Sequence, residues 1–259
     1  MIQPSDRLYS HVRSVLLAFQ FLTILPIKKS SHDRLPEIGL SLLYYPFVGA
    51  ILGVAVIVFA KVALLLFPEI VSATLVVAFW IGLTGALHID GLADSADAWV
   101  GGFGSRRRTL ELMKDPTCGP VAVAVVAILV LVKVHTIAEL LHQESVHYLI
   151  WVPLLGRLSI VALLLTTPYV RQGGLGESLH RHVPRNAGTL LCIFLPIFLL
   201  IVSPIIGIAL MMFGLLTLWW LRNMMMSRLG GCTGDTVGAS LEILETVGLL
   251  VLLATLRLN

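Results

Sequence analysis

Charge is what this sequence has least of. Asp, Glu, Lys and Arg supply 13% of its 259 residues, where soluble domains carry roughly 25%. With 57% hydrophobic residues and a mean hydropathy of +0.93, the apolar surface exceeds what one core can hide, which excludes an ordinary soluble domain. Cysteine is nearly missing as well. Cys118, Cys192 and Cys232 stand far apart, which excludes a disulfide framework and a zinc site built on CxxC pairs, so all three read as free thiols. No small-residue cleavage site follows the short apolar run after Asp6, Arg7, His11 and Arg13, and no removable signal peptide is expected.

What is there is a series of apolar runs. Residues 14–27 (SVLLAFQFLTILPI) are too short to cross about 30 Å of hydrocarbon and end at Pro26, which predicts an interfacial or re-entrant helix. Longer runs predict spans at about 39–67, 71–88, 120–141, 147–168, 189–203, 205–222 and 243–256, with Pro204 making a helical hairpin of the fifth and sixth. Gly49 and Gly53 form a GxxxG, a weak signal for close helix contact. The expectation is an all-α polytopic transmembrane helical bundle of about seven spans plus the short N-terminal helix. The whole chain, 1–259, reads as a single integral membrane domain.

The few charges are unevenly shared. On the seven-span reading the N-terminal segment and the connections around 90–119, 171–187 and 222–242 lie on one side and hold most of the Lys and Arg. These include Arg7, Arg13, Lys28, Lys29, Arg34, Arg181, Arg185, Arg222 and Arg228. The short connections near 68 and 144 hold none. By the positive-inside rule the charged side is cytoplasmic, which predicts a multi-pass membrane protein with its polar connections facing the cytoplasm. Lys61, Lys133, Arg157 and Arg257 are exceptions that do not reverse the bias; Arg157, well inside a span, is expected to face protein or a water-filled cavity.

Every polar segment with chemical character falls on that same side. In His88–Gly102, Asp90, Asp94 and Asp97 lie within eight residues; if the segment is helical, the i, i+4 and i, i+3 spacings crowd all three onto one face. Like charges repel there, so a cation between them is the best explanation, and hard oxygen ligands point to Mg²⁺ or Mn²⁺ rather than zinc. The bland reading, a solvated helix end, requires all three carboxylates to lie wholly in water, since Asp costs ~2.5 to 3.5 kcal/mol at the centre of a membrane helix. Mg²⁺ is usually shared between one or two carboxylates and substrate phosphates, which predicts a phosphate-bearing substrate.

Arg106, Arg107, Arg108 and Lys114 lie just downstream and suit phosphate binding, though each is equally a positive-inside signal or a contact to anionic lipid. The run GGCTGDTVG offers Asp235 as a fourth metal ligand and Thr233 as a substrate contact. It lacks the Lys of a Walker A loop and precedes no strand, and its alternative is a Gly-rich turn with an incidental Asp. Arg171 with the turn GGLGE reads as an anion clamp or as an ordinary turn. Glu242 and Glu245 are either ligands or favourable charges near a helix N-terminus. His88, His180 and His182 read as polar border residues.

HIDGLADSADAWVGG, RRRTLELMKDPTCGPVAVAV and GGCTGDTVGASLEILE together resemble the cobalamin-5'-phosphate synthase family, also called adenosylcobinamide-GDP ribazoletransferase. FLTILPI, YYPFVGAILG and YVRQGGLGE are lesser echoes in family order, so the resemblance covers nearly the whole chain. It departs at Ala98 and Trp99 and at Pro116, Thr117, Cys118 and Pro120, where other residues are expected. The resemblance implies a membrane enzyme of vitamin B12 nucleotide-loop assembly. Such an enzyme joins adenosylcobinamide-GDP to α-ribazole or its 5'-phosphate, requires Mg²⁺ and releases GMP. Asp90, Asp94 and Asp97 match its acidic motif, Lys114 and Asp115 its MKD segment, and Asp235 its TGD.

The expected metal ligands are Asp90, Asp94, Asp97 and Asp235, the expected proton acceptor is Asp97 or Asp235, and the substrate-binding residues are Arg106, Arg107, Arg108, Lys114, Arg171 and Thr233. Partners are the two substrates and membrane lipid, with no nucleic acid; a homo-oligomer or contacts with pathway enzymes stay open. Two rivals stand beside this reading. One is a CDP-alcohol phosphotransferase-like enzyme; the other is an ion-coupled transporter, disfavoured because the acidic cluster sits at one membrane edge and no internal repeat is evident.

Overall fold

The computed structural model describes residues 4–27, 35–173 and 175–258. Lys28, Lys29 and Arg34 of the charge reading, and Gly174 of the GGLGE turn, lie outside them. Twelve helices follow in order among the described residues: α1 (Pro4–Leu22), α2 (Leu35–Ser41), α3 (Tyr45–Leu66), α4 (Glu69–Leu83), α5 (Leu87–Gly101), α6 (Arg106–Leu112), α7 (Pro120–His142), α8 (Trp151–Thr166), α9 (Leu175–His182), α10 (Arg185–Val202), α11 (Pro204–Leu229) and α12 (Gly234–Leu258). No strand occurs among them; an isolated bridge pairs Tyr169 with Cys232.

Six helical segments are long and apolar enough to cross a membrane, and a seventh span exists if α4 and α5, which meet at 90°, count as one broken span. The molecule is therefore a multi-pass helical bundle of the expected kind. The N-terminal helix starts earlier than its apolar run and ends at Leu22. It turns Leu17, Ala18 and Leu22 inward and leaves Leu8, Tyr9 and Val12 exposed, as an interfacial helix does.

The GxxxG seam is an intrachain contact. A Cβ on Gly49 would lie 2.4 Å from the Pro153 carbonyl oxygen and one on Gly53 2.8 Å from Ile150 Cα, so these glycines let α3 lie directly on α8 and the turn before it. The outer faces of α10 and α11, including Leu190, Phe194, Ile201, Ile205, Leu215 and Trp219, are exposed apolar surface, which suits contact with lipid tails. The three thiols are free.

Two differences from the sequence reading place the site. Where 71–88 read as one span, the chain breaks after Leu83. Gly85 and Ala86 both take left-handed backbone angles, φ +61° and +57°, and α5 leaves at a right angle carrying the aspartates. The last helix begins at Gly234 instead of near 243. Its start is fixed by a reciprocal cap, in which Thr233 N–H donates to Thr236 Oγ1 at 2.9 Å and Thr236 N–H to Thr233 Oγ1 at 3.2 Å. The segment read as a long polar connection, 222–242, is thus almost entirely helix, interrupted by the Gly230 left-handed C-cap of α11 and three further residues.

Candidate active site

The site forms where α5 crosses the first turns of α12. Gly91 makes the crossing close, since a Cβ there would lie 2.8 Å from the Asp235 carbonyl oxygen. One turn away, His88 Cα would lie 3.4 Å from a Cβ on Gly238. With Gly at both crossing points the two backbones approach without an intervening side chain, and Asp90 and Asp94 are brought to Asp235.

Arg171 arrives by a different route. Val170 N–H donates to the Cys232 carbonyl at 2.9 Å and Cys232 N–H to the Pro168 carbonyl at 2.8 Å. This short bridge ties the segment after α8 to the turn before α12. It sets Arg171 Nη2 2.9 Å from Asp235 Oδ2 and 3.3 Å from the Met113 carbonyl, to which it donates. The contact with Asp235 is an ion pair, and Asp235 Oδ2 is buried beside the guanidinium. Tyr169 Oη accepts from Gly234 N–H at 3.1 Å, beside the same carboxylate.

Charge balance at this crossing is lopsided. Asp94 lies within electrostatic reach of Asp90, Asp235 and Asp97, and of the cation Arg171. Four carboxylates against one guanidinium leave negative charge uncompensated, and like charges held this closely raise each other's cost. Among the described residues no three His, Cys, Asp or Glu side chains converge as a ready-made metal cage.

The other expected site residues divide. Asp97 turns away to α7, where its carboxylate accepts Gly119 N–H at 2.5 Å and Ala122 N–H at 2.9 Å. It caps that helix from outside and places a negative charge at its N-terminus. Thr233, expected to touch substrate, is fully buried, and its hydroxyl serves the α12 cap and points at Met113 Sδ, 3.8 Å away. The physical reason is the early start of α12, which makes Thr233 its capping residue.

Arg106, Arg107 and Lys114 surround a separate shallow depression with Leu110 and Glu111, to which no aspartate of the cluster contributes. Arg107 donates to Glu111 at 2.8 Å and Arg108 lies 3.8 Å from it; the Arg107 hydrogen bond holds the Glu111 carboxyl below its usual range. Asp115 is likewise held low by hydrogen bonds from the Thr117 hydroxyl and amide. Arg228 caps the far end of α5, donating to the Trp99 carbonyl at 2.8 Å while lying over Trp99 and Phe103.

Deeper in the bundle is a group the sequence reading did not assemble. Lys133 Nζ of α7 donates to Glu242 Oε2 at 2.6 Å and Glu245 Oε2 at 3.0 Å, both on α12, and stands 4.9 Å above the Trp80 ring. Arg157 of α8, fully buried, donates to Glu245 Oε1. Glu242 and Glu245 follow Asp235 by seven and ten positions, so this cluster sits roughly 10–15 Å along α12 from the site. Arg157 thus faces protein. The signal available in the sequence was arithmetic: two bases inside spans, α7 and α8, and two acids inside a third, α12.

Comparison with known proteins assigns the fold and site a family. A model of the cobalamin-5-phosphate synthase family matches residues 14–253. A Pseudomonas savastanoi pv. phaseolicola protein named adenosylcobinamide-GDP ribazoletransferase is 45% identical over 236 residues, 91% of this chain and 97% of its own. An Acinetobacter baumannii protein of the same name is 46% identical over 231 residues, 89% of this chain and 93% of its own. No solved structure matches. The matched region runs from α1 through α12 and takes in Asp90, Asp94, Arg171 and Asp235, and the chain belongs to the cobalamin-5-phosphate synthase family.

Proposed function

We propose that the protein is a multi-pass enzyme of the bacterial inner membrane that transfers the adenosylcobinamide phosphoryl group from adenosylcobinamide-GDP to a hydroxyl of α-ribazole or its 5'-phosphate. The bond formed is between the ribazole oxygen and the cobinamide-side phosphorus, the bond broken is the diphosphate bridge, and GMP leaves. What supports this reading is the convergence of Asp90, Asp94, Asp235 and Arg171 at one helix crossing, in a chain whose relatives carry that activity in their name. The excess of Lys and Arg on the side of this crossing supports a cytoplasmic site.

The residues fit Mg²⁺. Asp90 and Asp94 offer hard oxygens from one helix face, and the surplus negative charge wants a cation that substrate phosphates can share. When bound there, Mg²⁺ neutralises diphosphate charge. Arg171 grips a phosphate oxygen and orients the diphosphate. Asp235 accepts the proton of the attacking hydroxyl.

Purified protein in lipid nanodiscs, given adenosylcobinamide-GDP and α-ribazole phosphate, is expected to release GMP only with Mg²⁺; chelation should stop the release and added Mg²⁺ restore it. CMP release from a CDP-alcohol with no GMP release would establish the rival enzyme class.

Asp97 receives a separate test because its oxygens already hold the α7 N-terminus. Asp97→Ala is expected to cost about 1–2 kcal/mol of stability, as loss of a good N-cap does. Asp97→Asn, which keeps one acceptor oxygen, should cost less and retain most activity. Thermal unfolding and GMP release measured side by side decide it: an Asn variant that is stable yet dead assigns Asp97 to the reaction instead.

A further inference from the structure

We propose that the cavity behind Asp90 and Asp235 is the acceptor site, that it takes the flat base of the ribazole nucleoside, and that His88 positions that base. This rests on the function proposed above and allots one of its two substrates a place.

The cavity measures about 410 Å³ and lies between α1, α3, α5, α8, α9 and α12. Its volume falls in the range of pockets for small organic ligands, about 300–1,000 Å³. A corrinoid bearing adenosyl and guanosine diphosphate groups is too bulky for it, whereas a nucleoside is not. The walls are apolar, with Ile160, Leu164 and Leu179 among them, and the polar groups are few: Gln20, Tyr45, His88, Tyr169, Asp90 and Asp235. No Lys or Arg lines it among the described residues. An anionic phosphate is therefore not the part that enters, and an uncharged aromatic base is.

His88 is the group that wants a ligand. It is 4% exposed and lines the cavity, and its Nδ1, sealed from the cavity in this conformation, has no hydrogen-bond partner, a condition rare for buried polar atoms that a turn of the ring toward a bound group relieves. Turned toward the cavity, a neutral imidazole carrying its proton on Nδ1 donates to the unsubstituted ring nitrogen of such a base.

The position also satisfies the reaction. Phosphoryl transfer places attacking and leaving oxygens roughly in line on opposite sides of the phosphorus. Asp90 and Asp235 border the cavity, while Asp94 and Arg171 do not. The acceptor hydroxyl comes from the cavity side toward Asp235, and the diphosphate lies on the far side with Asp94 and Arg171.

Equilibrium dialysis of the full-length protein against α-ribazole alone, and separately against adenosylcobinamide-GDP, reads this without turnover. His88→Phe and the cavity-filling Leu164→Trp are expected to weaken α-ribazole binding about tenfold or more and leave donor binding within about twofold. In turnover at saturating donor, His88→Phe raises KM for α-ribazole with kcat nearly unchanged. Unchanged α-ribazole binding in both variants, or equal weakening of both ligands, overturns the assignment while the enzyme reading stands. Wild-type protein that binds neither ligand and releases no GMP overturns both.

Discussion

Asp94→Asn is expected to lower GMP release by about 10²–10³-fold, the loss typical when a preorganised electrostatic group is removed from a charged transition state. The substitution keeps shape and volume, so folding should survive. What it removes is one of the two adjacent carboxylates that α5 offers to a cation, leaving Asp90 alone on that face. Because Asp94 stands among Asp90, Asp97, Asp235 and Arg171, the variant also lowers the local negative charge. Donor binding without Mg²⁺ is therefore expected to improve slightly as turnover collapses. That opposite movement separates a lost metal ligand from general damage, which would weaken both. Turnover within a few-fold of wild type in a correctly folded Asn variant would remove the carboxylate pair from the mechanism.

The chemistry of the site was legible because it lies on one short stretch. Asp90, Asp94 and Asp97 have helical spacing, and a helix does carry them. Their divergence was not legible, since Asp97 finds its partners at Gly119 and Ala122, on a helix that begins more than twenty residues later. The bend before α5 was hidden for a local reason: Gly85 is an unremarkable glycine in a Gly-tolerant membrane chain, and Ala86 is an unusual residue at positive φ.

The start of α12 was misplaced by hydropathy. Asp235, Glu242 and Glu245 depress the apolar score over the helix's first three turns, although each is a helical residue with a partner or a task. Span count, the GxxxG seam and the hairpin at Pro204 came through because they rest on uninterrupted apolar runs and small residues. The arginines at 106 to 108 show the reverse limit. Proximity in sequence to the aspartates suggested a shared site, while α6 turns Arg106 and Arg107 toward a depression of their own and Arg171, some eighty residues after the cluster, supplies the nearby cation.

Lys133→Met is expected to destabilise the protein by about 3–5 kcal/mol, because it strands a buried carboxylate without its cation. Among the described residues Lys133, at 2.6 Å, is the one base hydrogen-bonded to Glu242, whereas Glu245 keeps Arg157. In a chain of this size that loss corresponds to a fall in Tm of roughly 6–20 °C, readable by thermal unfolding in detergent. The double variant Lys133→Met with Glu242→Gln removes both charges and is expected to recover most of the loss, since a balanced buried pair contributes little net stability over neutral replacements. Glu245→Gln should not be recovered by Lys133→Met, because Arg157 then loses its hydrogen-bonded carboxylate and Glu242 its lysine. The cluster ties α7, α8 and α12 together roughly 10–15 Å beyond Asp235, so it holds α12 in the register that sets Asp235 against Gly91. Lys133→Met should therefore lose GMP release together with stability, and the double variant should regain both. Equal stability of wild type and Lys133→Met would deny the cluster that role and leave the register to the glycine contacts of α5 and α12 and the bridge at Cys232.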